Sequence, residues 1–264
     1  MKTCLFKNIA VISVRSNSKR LPNKSLKNYK GKTILDRIIN NVKKSKYVDK
    51  IIVATSSRYS DNKIYNFCKK KHISCFRGDE LNLIKRFEQA CKKYNPKIVI
   101  RLTGDNPFVS YEIIDFMLKT HKKKNADYSY MDKTNIPSGI IPDIINFNCF
   151  SKLLKTKCNF KYSEYMSFYF LNNPKFFYLN KIKPLRNFKF QDYKLRLTID
   201  YKKDFLFYKK LIDLLGLPNK YIKLSKIYEV VRKNPDVVKI NKNLKTKWKS
   251  KDLIKKINKA STIY

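Results

Sequence analysis

Between Ile9 and Lys24 the sequence IAVISVRSNSKRLPNK changes character at a single point. Ile9, Val11, Ile12 and Val14 are β-branched and nearly continuous, the pattern of a strand buried on both faces of a parallel sheet. Arg15, Ser18, Lys19, Arg20 and Lys24 then crowd a loop that contains no glycine. In an open α/β sheet such a loop lies at the strand's carboxyl end, where ligands bind. Arginine offers a planar fork of donors and lysine a compact point charge, so this clustering suits a triphosphate. A solvated basic loop is the alternative reading, because lysine recurs throughout the chain.

Strand and helix signals alternate beyond the loop. Thr33 is positioned to cap a helix reaching about Lys46, with Ile34, Leu35, Ile38, Ile39 and Val42 on one face. Strands are expected over 50–55, 73–76 and 98–102, and helices over 61–72 and 81–94, the pace of βαβ units. The fold class is therefore α/β, with a mostly parallel, doubly wound sheet and helices on both faces. From 125 to 143 the pattern loosens, before a strand over 144–147 and helices over 150–156 and 162–171. Residues 194–200 alternate charged and apolar side chains, the signature of a strand with one wet face. Amphipathic helices follow over 205–215, 225–233 and 250–259, and the Lys- and Asn-rich tail from Lys239 onward is expected to be loosely attached.

Sixty Lys and Arg against twenty Asp and Glu give a formal charge of +40, which makes a nucleic-acid binder one reading. Only ten of those cations are arginine, so the charge reads instead as lysine filling solvated positions and drawing anionic substrates. Six cysteines without a CxxC pair read as reduced core thiols of a cytoplasmic protein. No run approaches the roughly 18 apolar residues of a membrane span. His72 and His121 each adjoin three lysines and are expected exposed at helix ends, which excludes His-based nucleophilic catalysis and His-ligated metals. The chemistry then falls to carboxylates, cations and a hard metal ion.

Asp105 has the clearest address among the acids. It follows the strand 98–102 in Thr103-Gly104-Asp105-Asn106-Pro107, and Asp200 ends the strand 194–200 in the same way. A carboxylate facing a phosphate cluster is repulsive unless a cation bridges the two, and Mg²⁺ is the usual bridge. The competing reading of Asp105 is a cap for the helix beginning near Tyr111. The aromatics Tyr162, Tyr165, Phe168, Tyr169 and Phe170 read as core or as a homodimer surface.

The ordered motifs VRSNSKRLPNK (14–24), Gly31-Lys32, Val53-Ala54-Thr55, Phe76-Arg77-Gly78, RLTGDNP (101–107) and Leu197-Thr198-Ile199-Asp200 resemble those of the cytidylyltransferases that activate acidic sugars. These are the acylneuraminate and 3-deoxy-manno-octulosonate enzymes, and the spore coat polysaccharide biosynthesis protein F branch is the nearest in pattern. The resemblance covers about residues 8–210. It implies a Rossmann-like sheet of the nucleotide-diphospho-sugar transferase type over 1–215, with about 125–190 as acceptor and dimerisation region. Residues 216–264 would form a helical, Lys-rich C-terminal extension. It further implies that CMP passes from CTP to a 2-keto acid sugar with release of pyrophosphate, for surface polysaccharide biosynthesis. Arg15, Ser18, Arg20, Lys24 and Arg77 would bind CTP. Arg15, Lys24 and Asp105 would be catalytic, and Asp105 and Asp200 would hold Mg²⁺. The chain departs from the branch at Gly139-Ile140-Ile141-Pro142-Asp143, where the acid is displaced or absent, and at Ser163-Glu164-Tyr165, where the branch tends to carry Arg-Glu-His. A metal-dependent glycosyltransferase is the nearest rival, but its usual D-x-D pair is a single acid here.

Overall fold

The computed structural model describes residues 6–190, 195–216, 221–244 and 250–263. Strand β1 (Asn8–Ser13) lies inside a seven-stranded sheet, between β4 (Lys50–Ser56) and β6 (Ile98–Thr103), both parallel to it. Strand β5 (Ser74–Gly78) continues the parallel run, giving the order β5-β4-β1-β6-β8-β7-β9. Only β8 (Asp143–Asn146) runs backwards, antiparallel to β6 and to β7 (Tyr128–Met131), while β9 (Leu179–Ile182) pairs parallel with β7 at the edge. A two-residue hairpin, β2 (Asn28–Tyr29) with β3 (Lys32–Thr33), precedes the first helix.

The near-continuous apolar run of β1 serves two cores. Ala10, Ile12 and Val14 join one, with α1 (Ile34–Val42), α2 (Asn62–Lys70), α4 (Tyr111–Lys124), α7 (Lys202–Leu214) and α8 (Leu224–Lys233). Ile9 and Val11 join the other, with α3 (Leu83–Lys92), α5 (Asn148–Leu154) and α6 (Met166–Leu171). The doubly wound sheet is thus present as expected. Thr33 caps α1 in a reciprocal box with Asp36, and Ser110 caps α4. Asp105 is therefore not the cap of α4.

Several expectations are corrected. Residues 195–200 are extended but lie outside the sheet, held by a single bridge from Arg196 to Ser138 and by the Ile199 N–H donating to the Asp105 carbonyl at 2.8 Å. Their charged side chains are tied to other side chains instead of facing water; Lys194 lies outside the described residues. Strands β7 and β9 went unread: β7 (YSYM) and β9 (LNKI) carry polar residues within short runs, unlike the apolar pair Ile144-Ile145 of β8, and polar side chains suit the edge position of β9. His121 is 1% exposed, because it falls on the buried face of α4 with Met117 and Leu118. Its ring nitrogens meet the Ser129 hydroxyl at 2.7 Å and the Asn146 amide oxygen at 3.1 Å. His72 is exposed, as expected. Cys68, Cys91, Cys149 and Cys158 are buried free thiols and Cys75 is half-buried; Cys4 lies outside the described residues.

The tail is not loose where it is described. Asn241 is buried, and α9 (Lys251–Ser261) buries Ile257 and Ser261. The Asn173 amide donates to the Ser261 carbonyl at 2.7 Å, joining α9 to the end of α6. Of the two readings of the aromatic segment, Tyr169 and Phe170 take the core one: both are fully buried in the chain's own second core. No described helix is long and apolar enough to cross a membrane.

Gly139 sits in the left-handed region at φ +97°, where an added Cβ would lie 2.7 Å from the Thr198 nitrogen and 2.8 Å from the Leu197 carbonyl carbon. Both obstacles are backbone and cannot swing aside. Gly139→Ala should therefore destabilise the chain by about 1–3 kcal/mol, read as a lower midpoint in urea unfolding.

Candidate active site

The basic loop is shaped by hydrogen bonds before any cation is considered. Asp61, 1% exposed, accepts from the Ser16 amide at 2.7 Å, from the Ser16 hydroxyl at 2.6 Å and from the Ser56 amide at 3.2 Å. Burial alone would raise its pKa, but the bonds from Ser16 and Ser56 outweigh burial and hold the carboxyl below its usual range. The loop then closes on itself, with the Ser18 and Asn23 amides both donating to the Ser16 carbonyl at 3.0 Å. Asn23 takes left-handed backbone (φ 54°), which turns the following 3-10 segment (Lys24–Leu26) toward the sheet.

Two side chains of that segment reach the end of β6. The Ser25 hydroxyl donates to the Gly104 carbonyl at 2.6 Å, and the Gly104 amide donates to Ser13 at 2.8 Å. A side chain at Gly104 would meet Ser25 Oγ and Val14 Cγ2, both at 2.9 Å, so glycine permits this close approach. The Lys24 ammonium donates to Asp105 Oδ2 at 2.6 Å, to Asp200 Oδ1 at 3.0 Å and to the Ile199 carbonyl at 3.0 Å. Burial pushes the Lys24 pKa down, but Asp105 and Asp200 more than offset it and leave the ammonium above its ordinary value. Burial likewise raises Asp105, and Lys24 together with the Thr103 hydroxyl at 2.6 Å turns the net shift downward. Arg20 donates to Asp200 Oδ1 at 2.8 Å and stacks over Tyr201, 5.2 Å from the ring centre.

Lys24, Arg20, Asp105 and Asp200 thus come together from three distant stretches of chain. Arg15, Ser18 and Arg77 make no hydrogen bond or ion pair with any of these four. Arg15 is exposed and pairs with Glu164 at 2.7 Å, and Ser18 accepts from the Leu21 amide within the loop. Arg77, at the carboxyl end of β5, donates to the carbonyls of Ser57 and Arg58 at 2.7 and 3.1 Å. The wall beside Arg15 is formed by Arg101, which pairs with Asp143 at 2.6 Å and donates to the Glu164 carbonyl at 3.0 Å. The displaced acid Asp143 is therefore engaged by Arg101 and by the Tyr128 hydroxyl at 2.8 Å. Asp61, Arg196 and Asp204 escaped the sequence reading. Asp61 showed only as a helix start, and Asp204 showed only in its spacing of four from Asp200.

The donor set fits a hard divalent cation. Asp105 Oδ2 and Asp200 Oδ1 converge on one positive centre at 2.6 and 3.0 Å, although in the structure that centre is the Lys24 ammonium. Among the described residues no cluster of three His, Cys, Asp or Glu forms a ready cage. Two carboxylate oxygens match Mg²⁺, which keeps waters and takes substrate phosphates for the rest of its shell.

The sequence profile of the cytidylyltransferase family matches residues 9–244, spanning the loop, the Asp105 turn and the Asp200 segment. The chain belongs to the cytidylyltransferase family. It is 30% identical over 231 residues to the spore coat polysaccharide biosynthesis protein SpsF of Bacillus subtilis, covering 86% of this chain and 94% of that one. An uncharacterized protein of Methanocaldococcus jannaschii is 34% identical over 239 residues, covering 90% and 96%. Among solved structures, a cytidylyltransferase from Leptospira borgpetersenii superposes with a TM-score of 0.79 at 28% identity, covering 91% of this chain and 98% of the other. The chain is accordingly a nucleotidyltransferase of the CTP-dependent kind, with the fold expected of one.

The shifts at Lys24 and Asp105 set a pH dependence. Asp105 is depressed on folding, so its contribution is present above the ordinary carboxylate range and fades as pH falls through the folded pKa. Lys24 is raised, so its contribution is complete below about pH 10.4 and is lost only as pH climbs through the folded value. Asp105→Asn should melt below wild type at pH 7, and the gap should narrow as pH falls below about 4, measured by calorimetry across pH.

Proposed function

We propose that this chain transfers the cytidylyl group of CTP to an anionic sugar, with Mg²⁺ and with release of pyrophosphate, in building a surface polysaccharide. The observation that carries the reading is the Lys24 ammonium held between Asp105 and Asp200 at the carboxyl edge of the parallel sheet, with Arg20 beside it. An acid sugar bearing a carboxylate, such as a nonulosonate or octulosonate, suits an enzyme whose formal charge is +40. The name of SpsF supports a polysaccharide setting.

In this mechanism an acceptor hydroxyl attacks the α-phosphorus of CTP in line and releases its proton to solvent, while the bond from the α-phosphorus to the oxygen it shares with the β-phosphate breaks and pyrophosphate departs with that oxygen. No covalent enzyme intermediate forms, in keeping with a site built from cations and carboxylates. Catalysis is positioning plus charge stabilisation. Arg15, Ser18, Arg20 and Lys24 bind the triphosphate, with Arg15 and Lys24 neutralising the leaving pyrophosphate. Arg77 lies near the base. Asp105 and Asp200 would hold the divalent ion, which would supply charge neutralisation for the transferred phosphate and a lowered pKa for the attacking hydroxyl. Thr103 keeps Asp105 aimed by occupying its second oxygen. Lys24 holds the two carboxylates together until substrate arrives and then turns to phosphate.

Pyrophosphate release measured with each of the four nucleoside triphosphates, Mg²⁺ and a panel of acidic sugars tests the reading. CTP with one of those sugars should give turnover and the other nucleotides little. Release of a nucleoside diphosphate from a preformed sugar nucleotide would instead identify a glycosyltransferase. Lys24→Ala should lower kcat by about 10² or more, and unchanged turnover in that variant would overturn the mechanism.

A further inference from the structure

Asp200 is gripped from behind by side chains that belong to none of the motifs. Arg196 donates to Asp200 Oδ2 at 2.9 Å and, through two nitrogens, to both oxygens of Asp204 at 2.8 and 3.2 Å. Asp204 is 1% exposed and accepts the backbone amides of Asp200 at 2.9 Å and Tyr201 at 3.0 Å. These bonds orient the carboxylate as well as the backbone. Oδ2 of Asp200 is tied to Arg196, which leaves Oδ1 directed at Lys24 and Arg20.

The last member comes from far along the chain. Asn241 follows the 3-10 turn Pro235–Ile240, whose Val237 and Val238 are buried in the main core. Its Nδ2 donates to the Arg196 carbonyl at 3.1 Å and to Asp204 Oδ1 at 3.0 Å. Its Oδ1 is buried and has no hydrogen-bond partner among the described residues. A buried acceptor without a donor costs free energy, so the two bonds from Nδ2 are what this amide contributes. Both go to the Arg196–Asp204 pair and to nothing else.

We propose that Asn241, carried in by the C-terminal segment, completes a positioning relay through Asp204 and Arg196 that fixes the Asp200 carboxylate for divalent-cation and phosphate binding. The segment beyond 216 is thereby a working part of the active centre and not an appendage. This inference rests on the reading of Asp200 as a cation-holding carboxylate. Asn241, Asp204 and Arg196 act through Asp200 and touch no reacting atom.

The test uses the full chain and Mn²⁺ with CTP in the absence of any acceptor, with bound Mn²⁺ read by electron paramagnetic resonance and the thermal midpoint read in parallel. Asn241→Ala should weaken Mn²⁺ binding about tenfold. Val238→Ala, on the same turn but outside the relay, should lower the midpoint while leaving Mn²⁺ affinity within about twofold. An Asn241→Ala chain that binds Mn²⁺ like wild type while Asp200→Ala has lost binding would overturn the relay. An Asp200→Ala chain with undiminished binding would overturn the underlying reading of Asp200 instead. Should Asn241→Ala fail to fold, Arg196→Lys carries the same test, because a single ammonium cannot serve Asp200 and both oxygens of Asp204 together.

Discussion

The Lys24 ammonium lies within hydrogen-bond distance of Asp105, Asp200 and the Ile199 carbonyl, and three remote stretches of chain meet there on its account. A buried ammonium needs its charge matched and its hydrogens satisfied, and all three acceptors are supplied by strand ends or by chain laid against them. Removing any one partner leaves the others uncompensated, so the basic loop, the β6 turn and the 195–200 segment hold their places together. The wider cluster is balanced: Arg20, Lys24 and Arg196 face Asp105, Asp200 and Asp204. Such balance satisfies every charge of the cluster within the chain itself.

The parts of this architecture legible in the sequence are those written in short-range pattern. The β-branched run of β1 announced a two-faced strand, and Ala10 and Ile12 on one side with Ile9 and Val11 on the other show why no polar alternation interrupted it. Thr33 announced a cap, and Gly104-Asp105 announced a tight turn bearing an acid. What stayed hidden depends on side chains far apart in sequence. Asp61 reads locally as a helix start and only in three dimensions becomes the post to which Ser16 is tied. His121 sits among lysines, yet the helical period places it with Met117 and Leu118, and neighbouring charge proved a poorer guide than that period.

The segment 195–200 shows how a correct address can come with a wrong reason. Alternation of charged and apolar residues suggested a ladder, but Arg196 is consumed by Asp200 and Asp204, and only one bridge joins the segment to Ser138. Asp200 still arrives at the carboxyl edge, because the Ile199 amide bonds to the Asp105 carbonyl. A backbone bond between the two acidic segments thus does what membership of the sheet was expected to do.

The lone reversed strand, β8, carries a consequence for how the enzyme can diversify. Since β7 runs with the sheet and β8 against it, the chain between them, residues 132–142, crowns the ligand edge and returns without crossing to the opposite face. Its far end delivers Asp143 to Arg101, so one short excursion bounds that side of the sheet's ligand edge. Apart from Gly139, whose backbone abuts Leu197 and Thr198, a crown of that kind can change its side chains while leaving every βαβ crossover intact. Under the function proposed above, a hairpin loop would govern acceptor choice and the parallel half of the sheet the nucleotide chemistry, so that the two would be separately heritable.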